Sequence, residues 1–374
     1  MMDASQDSDV VMAELDTDDN TDGRGVNRLG YRGWSGQLES GWLRWTVIAS
    51  VGIRRAWQSR WLKRMLFFAW LPAIVWGVGF FAWEQAVLYP EWRAPLEPIL
   101  RKNPSMNNFR QRGRRGEGPL PSMLESLPPT KFSQLQESYE ANDLGRSRHT
   151  VWGWLLQSFF RNPQGVLMVM VVGLIAPPLI SQDVRSRAFL LYFSRPLTRA
   201  EYLLGKLASV WAYLSMISTS PALSLYVVGV LLSPDLSVVS ATWDLPFRIL
   251  AASLVLMLPT SVLALCFSSL TQESRYAGFA WFAMWILGWF TYSVASSIEI
   301  ANAEIQQFQT GSPIDPQQSA WTHVSLYHTL GRVQSWVFGF ADFGDVLISA
   351  LILIGVTVIA LAILLRRISA PMRV

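Results

Sequence analysis

Apolar residues in this chain gather into six long runs instead of spreading into stripes of helical or strand period. The runs cover residues 65–88, 164–181, 207–232, 247–270, 277–298 and 346–365. An α-helix needs about 20 such residues to cross a hydrocarbon layer roughly 30 Å thick. Lipid offers no hydrogen bonds, so each crossing segment must close its own backbone. The pattern predicts an all-α membrane protein of six transmembrane helices. Pro72, and Pro177–Pro178 at the end of the second run, do not argue against helices, because neighbouring groups re-satisfy a carbonyl freed by proline. Trp83, Trp152, Trp154, Trp281 and Trp289 fall near the predicted ends, as an aromatic belt at the membrane surface would place them.

The polar segments set the orientation. Residues 1–33 carry Asp3, Asp7, Asp9, Glu14, Asp16, Asp18, Asp19 and Asp22 and lack the basic and apolar regions of an export signal. They read as a disordered acidic cytoplasmic tail. Residues 34–64 mix Trp34, Trp42, Trp45, Trp57 and Trp61 with Arg44, Arg54, Arg55, Arg60, Lys63 and Arg64. Both residue types favour the membrane interface, so an interfacial helix is expected there. Five basic residues lie between Arg54 and Arg64. Arg185, Arg187, Arg195, Arg199 and Lys206 separate runs two and three, and Arg366, Arg367 and Arg373 follow run six. Residues 233–246 hold no Lys or Arg, and residues 299–345 hold only Arg332 against five acids. The alternation predicts both ends inside, with 89–163 and 299–345 as outer loops. The 89–163 segment has eleven basic residues, including Arg110, Arg112, Arg114 and Arg115; loops beyond about 60 residues cross largely regardless of charge.

Composition narrows the chemistry. Of 374 residues, 51% are hydrophobic and 16% charged, with a net charge of +4. The basic residues flank apolar runs instead of forming a separate domain, which argues against nucleic acid and for contact with membrane lipids. One cysteine, Cys266, excludes an internal disulfide and any CxxC site. His149, His323 and His328 are too scattered for a metal cluster. There is no GxxxxGK[ST] loop, GxSxG or HExxH, so no enzyme active site and no bound cofactor are expected. The middles of the predicted spans carry no charged residue, whereas ion-coupled carriers place such groups at membrane depth.

The connection between runs two and three holds the most distinctive pattern. Asp183–Phe193 is a short helix candidate with Phe189 and Phe193 on one side, and Ser194-Arg195-Pro196 ends it. Thr198 with Glu201 three residues on forms a capping box for a helix that continues through Gly205 and Lys206 into the third span. A charged, apolar-tipped helix at a membrane surface suits docking into the groove of a cytoplasmic partner.

On these residues the chain resembles the ABC-2 type permease family, in the branch whose ATPase is a separate subunit. The family pattern has an acid, a leucine-rich stretch, Ser-Arg-Pro-x-Ser/Thr-Arg and a later Gly-Lys. This chain supplies Asp183, Leu190, Leu191, Ser194, Arg195, Pro196, Thr198, Arg199, Gly205 and Lys206. It departs at Arg187-Ala188, where the family often has Gly-Thr, and at Arg185, where a second acid is common. The resemblance implies a permease subunit in the cytoplasmic (inner) membrane of a prokaryote, paired with a second permease subunit as homo- or heterodimer. It would move its substrate with ATP and Mg bound on the partner ATPase. Residues 183–199 would be the coupling helix. Asp183, Arg185 and Arg187 would make polar contacts, and Phe189 and Phe193 would be apolar anchors. Arg195 and Arg199, set by Ser194, Pro196 and Thr198, would hold partner carboxylates or lipid phosphates. A membrane scaffold binding a cytoplasmic partner without transport, and an ion-coupled carrier, are the other readings.

Overall fold

Segments in lipid must close their backbone hydrogen bonds within helices or a closed barrel, and every regular element among the described residues is helical. The computed structural model describes residues 43–93, 127–188, 197–234, 236–310 and 320–369, all within one compact unit, Trp42–Val374. The principal helices are α1 (Arg44–Trp57), α2 (Arg60–Leu88), α3 (Pro129–Glu140) and α4 (Leu144–Arg185). They are followed by α5 (Arg199–Leu232), α6 (Leu245–Leu270), α7 (Ser274–Thr310), α8 (Leu326–Val337) and α9 (Phe343–Ser369). Helices α2, α4, α5, α6, α7 and α9 are the six long and apolar enough to cross a membrane. Each contains the run expected of it.

Packing ranks these helices. The apolar stretches of α4 and α6 are the most buried, while α2, α7 and α9 turn most of theirs outward. The main core joins α2, α4, α5, α6 and α9 through residues such as Leu66, Val172, Tyr213, Leu265 and Leu364. A second cluster, around Phe80, Trp83, Trp152, Phe159 and Ile249, joins α2, α3, α4, α5 and α6. Pro177 and Pro178 remain inside α4 because α6 compensates for them. Ser268 donates to the Pro177 carbonyl at 2.6 Å and accepts from the Ile180 and Ser181 amides.

The structure departs from the sequence expectation in three places. First, the 89–163 segment is not a loop throughout: α3 lies inside it, and α4 begins at Leu144, about twenty residues early. Arg161, Pro163 and Gln164 interrupt the apolar run, but the helix absorbs them as a π-helical turn over Phe160–Gln164. Second, residues 326–337, within the expected outer loop 299–345, form α8 against α6, α7 and α9. Third, the tryptophans do not all form a belt. Trp83, Trp152 and Trp281 are buried, and Trp281 donates to the Val169 carbonyl at 2.8 Å. Trp289 alone of the five is exposed. In the 34–64 segment, α1 ends at Trp57 and Ser59 accepts from the Leu62 amide to start α2. The tail 1–33 and the basic run 110–115 lie outside the described residues.

Candidate functional site

The 183–199 segment has two stems, and the structure joins them. α4 delivers Asp183 on its last turn, and α5 delivers Tyr202 and Lys206 on its first two. Lys206 Nζ lies 2.6 Å from Asp183 Oδ2, and the Tyr202 hydroxyl donates to the same oxygen at 2.8 Å. All three residues are buried, and the ammonium stands 5.3 Å from the Tyr202 ring centre. An ion pair removed from water is costly to break, since the survivor is left as an uncompensated charge. The stems are therefore tied at their base.

The α5 stem is built as its local sequence dictates. The Thr198 hydroxyl oxygen accepts from the Glu201 amide at 3.2 Å, and Glu201 Oε2 accepts from the Thr198 amide at 2.7 Å. The capping box is complete. The α4 stem ends at Arg185, followed by Arg187 in the left-handed region at φ 54°. That is the conformation glycine adopts most readily after a helix, at the position where the resembled family often has Gly.

Of the ten site residues expected from sequence, Asp183 points into the protein. Arg185 and Arg187 are exposed. Arg185 reaches Glu273, in the α6–α7 connection, at 3.4 Å; an exposed pair of this kind contributes little. Arg199 and Thr198 sit at the exposed start of α5. Phe189, Phe193, Ser194, Arg195 and Pro196 lie outside the described residues. Lys206 and Tyr202 were not among the expected site residues, although Gly205-Lys206 was already part of the family pattern. Tyr202 carried no signal, because its role depends on a contact 19 residues back along the chain.

Helix α1 buttresses this base. It runs beside the start of α5, where a Cβ at Gly205 would lie 2.6 Å from Ile48 Cβ and 2.8 Å from the Trp45 carbonyl oxygen. Ser209 donates to the Ala49 carbonyl at 3.2 Å, and Tyr213 to that of Ile53 at 2.6 Å.

Other polar clusters sit nearer the opposite end. Glu84 on α2 accepts from Arg148 at 3.0 Å and from the Trp152 indole at 3.1 Å, with both charges buried. Gln164 reaches the Ala69 carbonyl at 3.5 Å, and Leu155 packs at Gly79. Arg161 thus lies level with the apolar middle of α2, a depth at which the sequence reading placed no charge. Its guanidinium donates to the Tyr327 carbonyl at 2.7 Å and stacks 4.2 Å from the Tyr327 ring centre. The Tyr327 hydroxyl in turn donates at 2.6 Å to the Arg161 carbonyl in the π-helical turn. His328 lies against the Tyr292 ring, centres 3.5 Å apart, and pairs with Ser325 at 2.9 Å. Asp244 accepts from Arg248 at 2.6 Å and pairs with His149 at 3.0 Å. Burial alone would raise its carboxyl; the His149 and Arg248 hydrogen bonds outweigh that and hold it below the usual carboxylate range. Among the described residues, no three His, Cys, Asp or Glu side chains gather as a metal site requires.

The family model described as "ABC-2 family transporter protein" matches residues 64–367, from the start of α2 through the end of the apolar part of α9. No curated protein and no solved structure matches the chain.

Proposed function

Because the chain belongs to the ABC-2 family of transporter proteins, we propose that it is the permease subunit through which ATP hydrolysis on a separate ATPase chain drives a substrate across the membrane. The observation that carries this reading is the buried Asp183–Lys206–Tyr202 cluster at the base of the 183–199 segment. A partner pressing on that segment would move the ends of α4 and α5 as one body, because separating them strands a buried charge. Helix α4 would carry the displacement furthest. It is 42 residues long and packs against α2, α5, α6 and α7.

In this reading residues 183–199 are the coupling helix, facing the cytoplasm. Arg185, Arg187 and Arg199 offer exposed cations to partner carboxylates. Phe189 and Phe193 provide apolar anchors, and Ser194, Arg195, Pro196 and Thr198 shape the return to α5. ATP and Mg belong to the partner. A second permease subunit, identical or related, would cover part of the outward apolar surface. Helix α7 suits that role, since it is the least apolar of the six spans and also the least buried within one chain. The basic residues gathered beside α2, α4, α5 and α9 support an orientation with both ends inside, and the family resemblance supports placement in the inner membrane of a prokaryote.

The test is ATP turnover by the ATPase co-purified with this chain. Arg195→Ala with Arg199→Ala should lower the turnover stimulated by the permease several-fold while insertion is unchanged. If stimulation survives that pair, and also Phe189→Ala with Phe193→Ala, the coupling assignment is wrong. A scaffold would hold the partner without altering its turnover, and a carrier would respond to an imposed ion gradient with no ATPase present.

A further inference from the structure

Helix α1 fits closely on one side only. Against α5 it is held by the glycine contacts at Gly52 and Gly205. On its other side it stands off α4 and leaves a cleft of about 310 Å³. The walls are apolar, formed by Val47 and Val51 of α1 and by Leu174 and Leu179 of α4. Val47, Val51 and Leu174 are between 42% and 58% exposed. A gap lined by such side chains forfeits dispersion contact unless something apolar fills it.

The cleft also has a polar side. Arg55 and Lys206 line it, with Gln182 and Asp183. Lys206 is engaged with Asp183, whereas Arg55 is exposed and has no ion-pair partner among the described residues. The surroundings reinforce the charge: residues 43–83 contain Arg44, Arg54, Arg55, Arg60, Lys63 and Arg64 and no Asp or Glu.

We propose that this cleft binds an anionic glycerophospholipid. One acyl chain lies between α1 and α4, and the phosphate sits on Arg55. A free phosphate would leave the apolar walls uncovered. A zwitterionic choline head would supply no net negative charge to Arg55. The occupant links α1 to α4 beside the Asp183–Lys206 pair. The site rests on the cleft and its charges and does not depend on the transport reading.

The test uses the full chain in nanodiscs holding phosphatidylglycerol and phosphatidylcholine in equal amounts, with retained lipid identified by native mass spectrometry after release. Wild type should retain phosphatidylglycerol in preference. Arg55→Glu should lower that retention by at least about five-fold, the scale of one basic residue at a lipid surface. Val51→Trp, which fills the cleft, should lower retention of either lipid, while Arg146→Glu, exposed at the opposite end of α4, should leave the preference unchanged. Equal retention of the two lipids by wild type would overturn the proposal. So would unchanged phosphatidylglycerol in both Arg55→Glu and Val51→Trp.

Discussion

A buried carboxylate needs partners for its charge, and Asp183 has an ammonium at 2.6 Å and a phenol at 2.8 Å. Removing one member strands the other. Asp183→Asn and Lys206→Met should each destabilise the chain by about 3–5 kcal/mol, the usual cost of breaking a buried pair. The double variant should recover most of that loss, because neither charge then remains buried. Thermal unfolding of the detergent-purified chain reads this directly; two single losses that simply add would show that the residues act separately. At this scale the sequence is legible only where partners are close along the chain. Thr198 and Glu201, three apart, form the capping box their spacing announces. Asp183 reads as an exposed docking contact because the residues that bury it arrive from the next helix.

The existence of the six spans was legible; their extent, and the helices α3 and α8 between them, were not. Each span shows itself as an apolar run, but α4 continues some twenty residues past its run because its polar side chains find partners elsewhere. Arg148 meets Glu84, Gln157 donates to Ser335, and Arg161 meets Tyr327. No window of sequence contains such a partner. Helix α8 depends on the same contacts: Arg161 donates to the Tyr327 carbonyl and the Tyr327 hydroxyl donates to that of Arg161.

For the molecule as a whole, charge and packing converge on one end. Trp45 lies against Gly205, Arg185 pairs with Glu273, and Arg367 lies near Cys266 at the end of α6. The ends of α4, α6 and α9 and the starts of α1, α5 and α7 therefore share a side, which is what an even number of crossings requires. Ser240, in the short turn between α5 and α6, belongs to the other side. The native Cys266 is buried, so single engineered cysteines can be labelled against little background. Ser186→Cys and Ser240→Cys both replace exposed hydroxyls. An impermeant maleimide should reach the first only in inside-out vesicles and the second only in intact cells. The reverse result would put the basic side outside, beyond the reach of any ATPase. The cleft beside α1 would then face the outer leaflet, and the coupling role of residues 183–199 would fall.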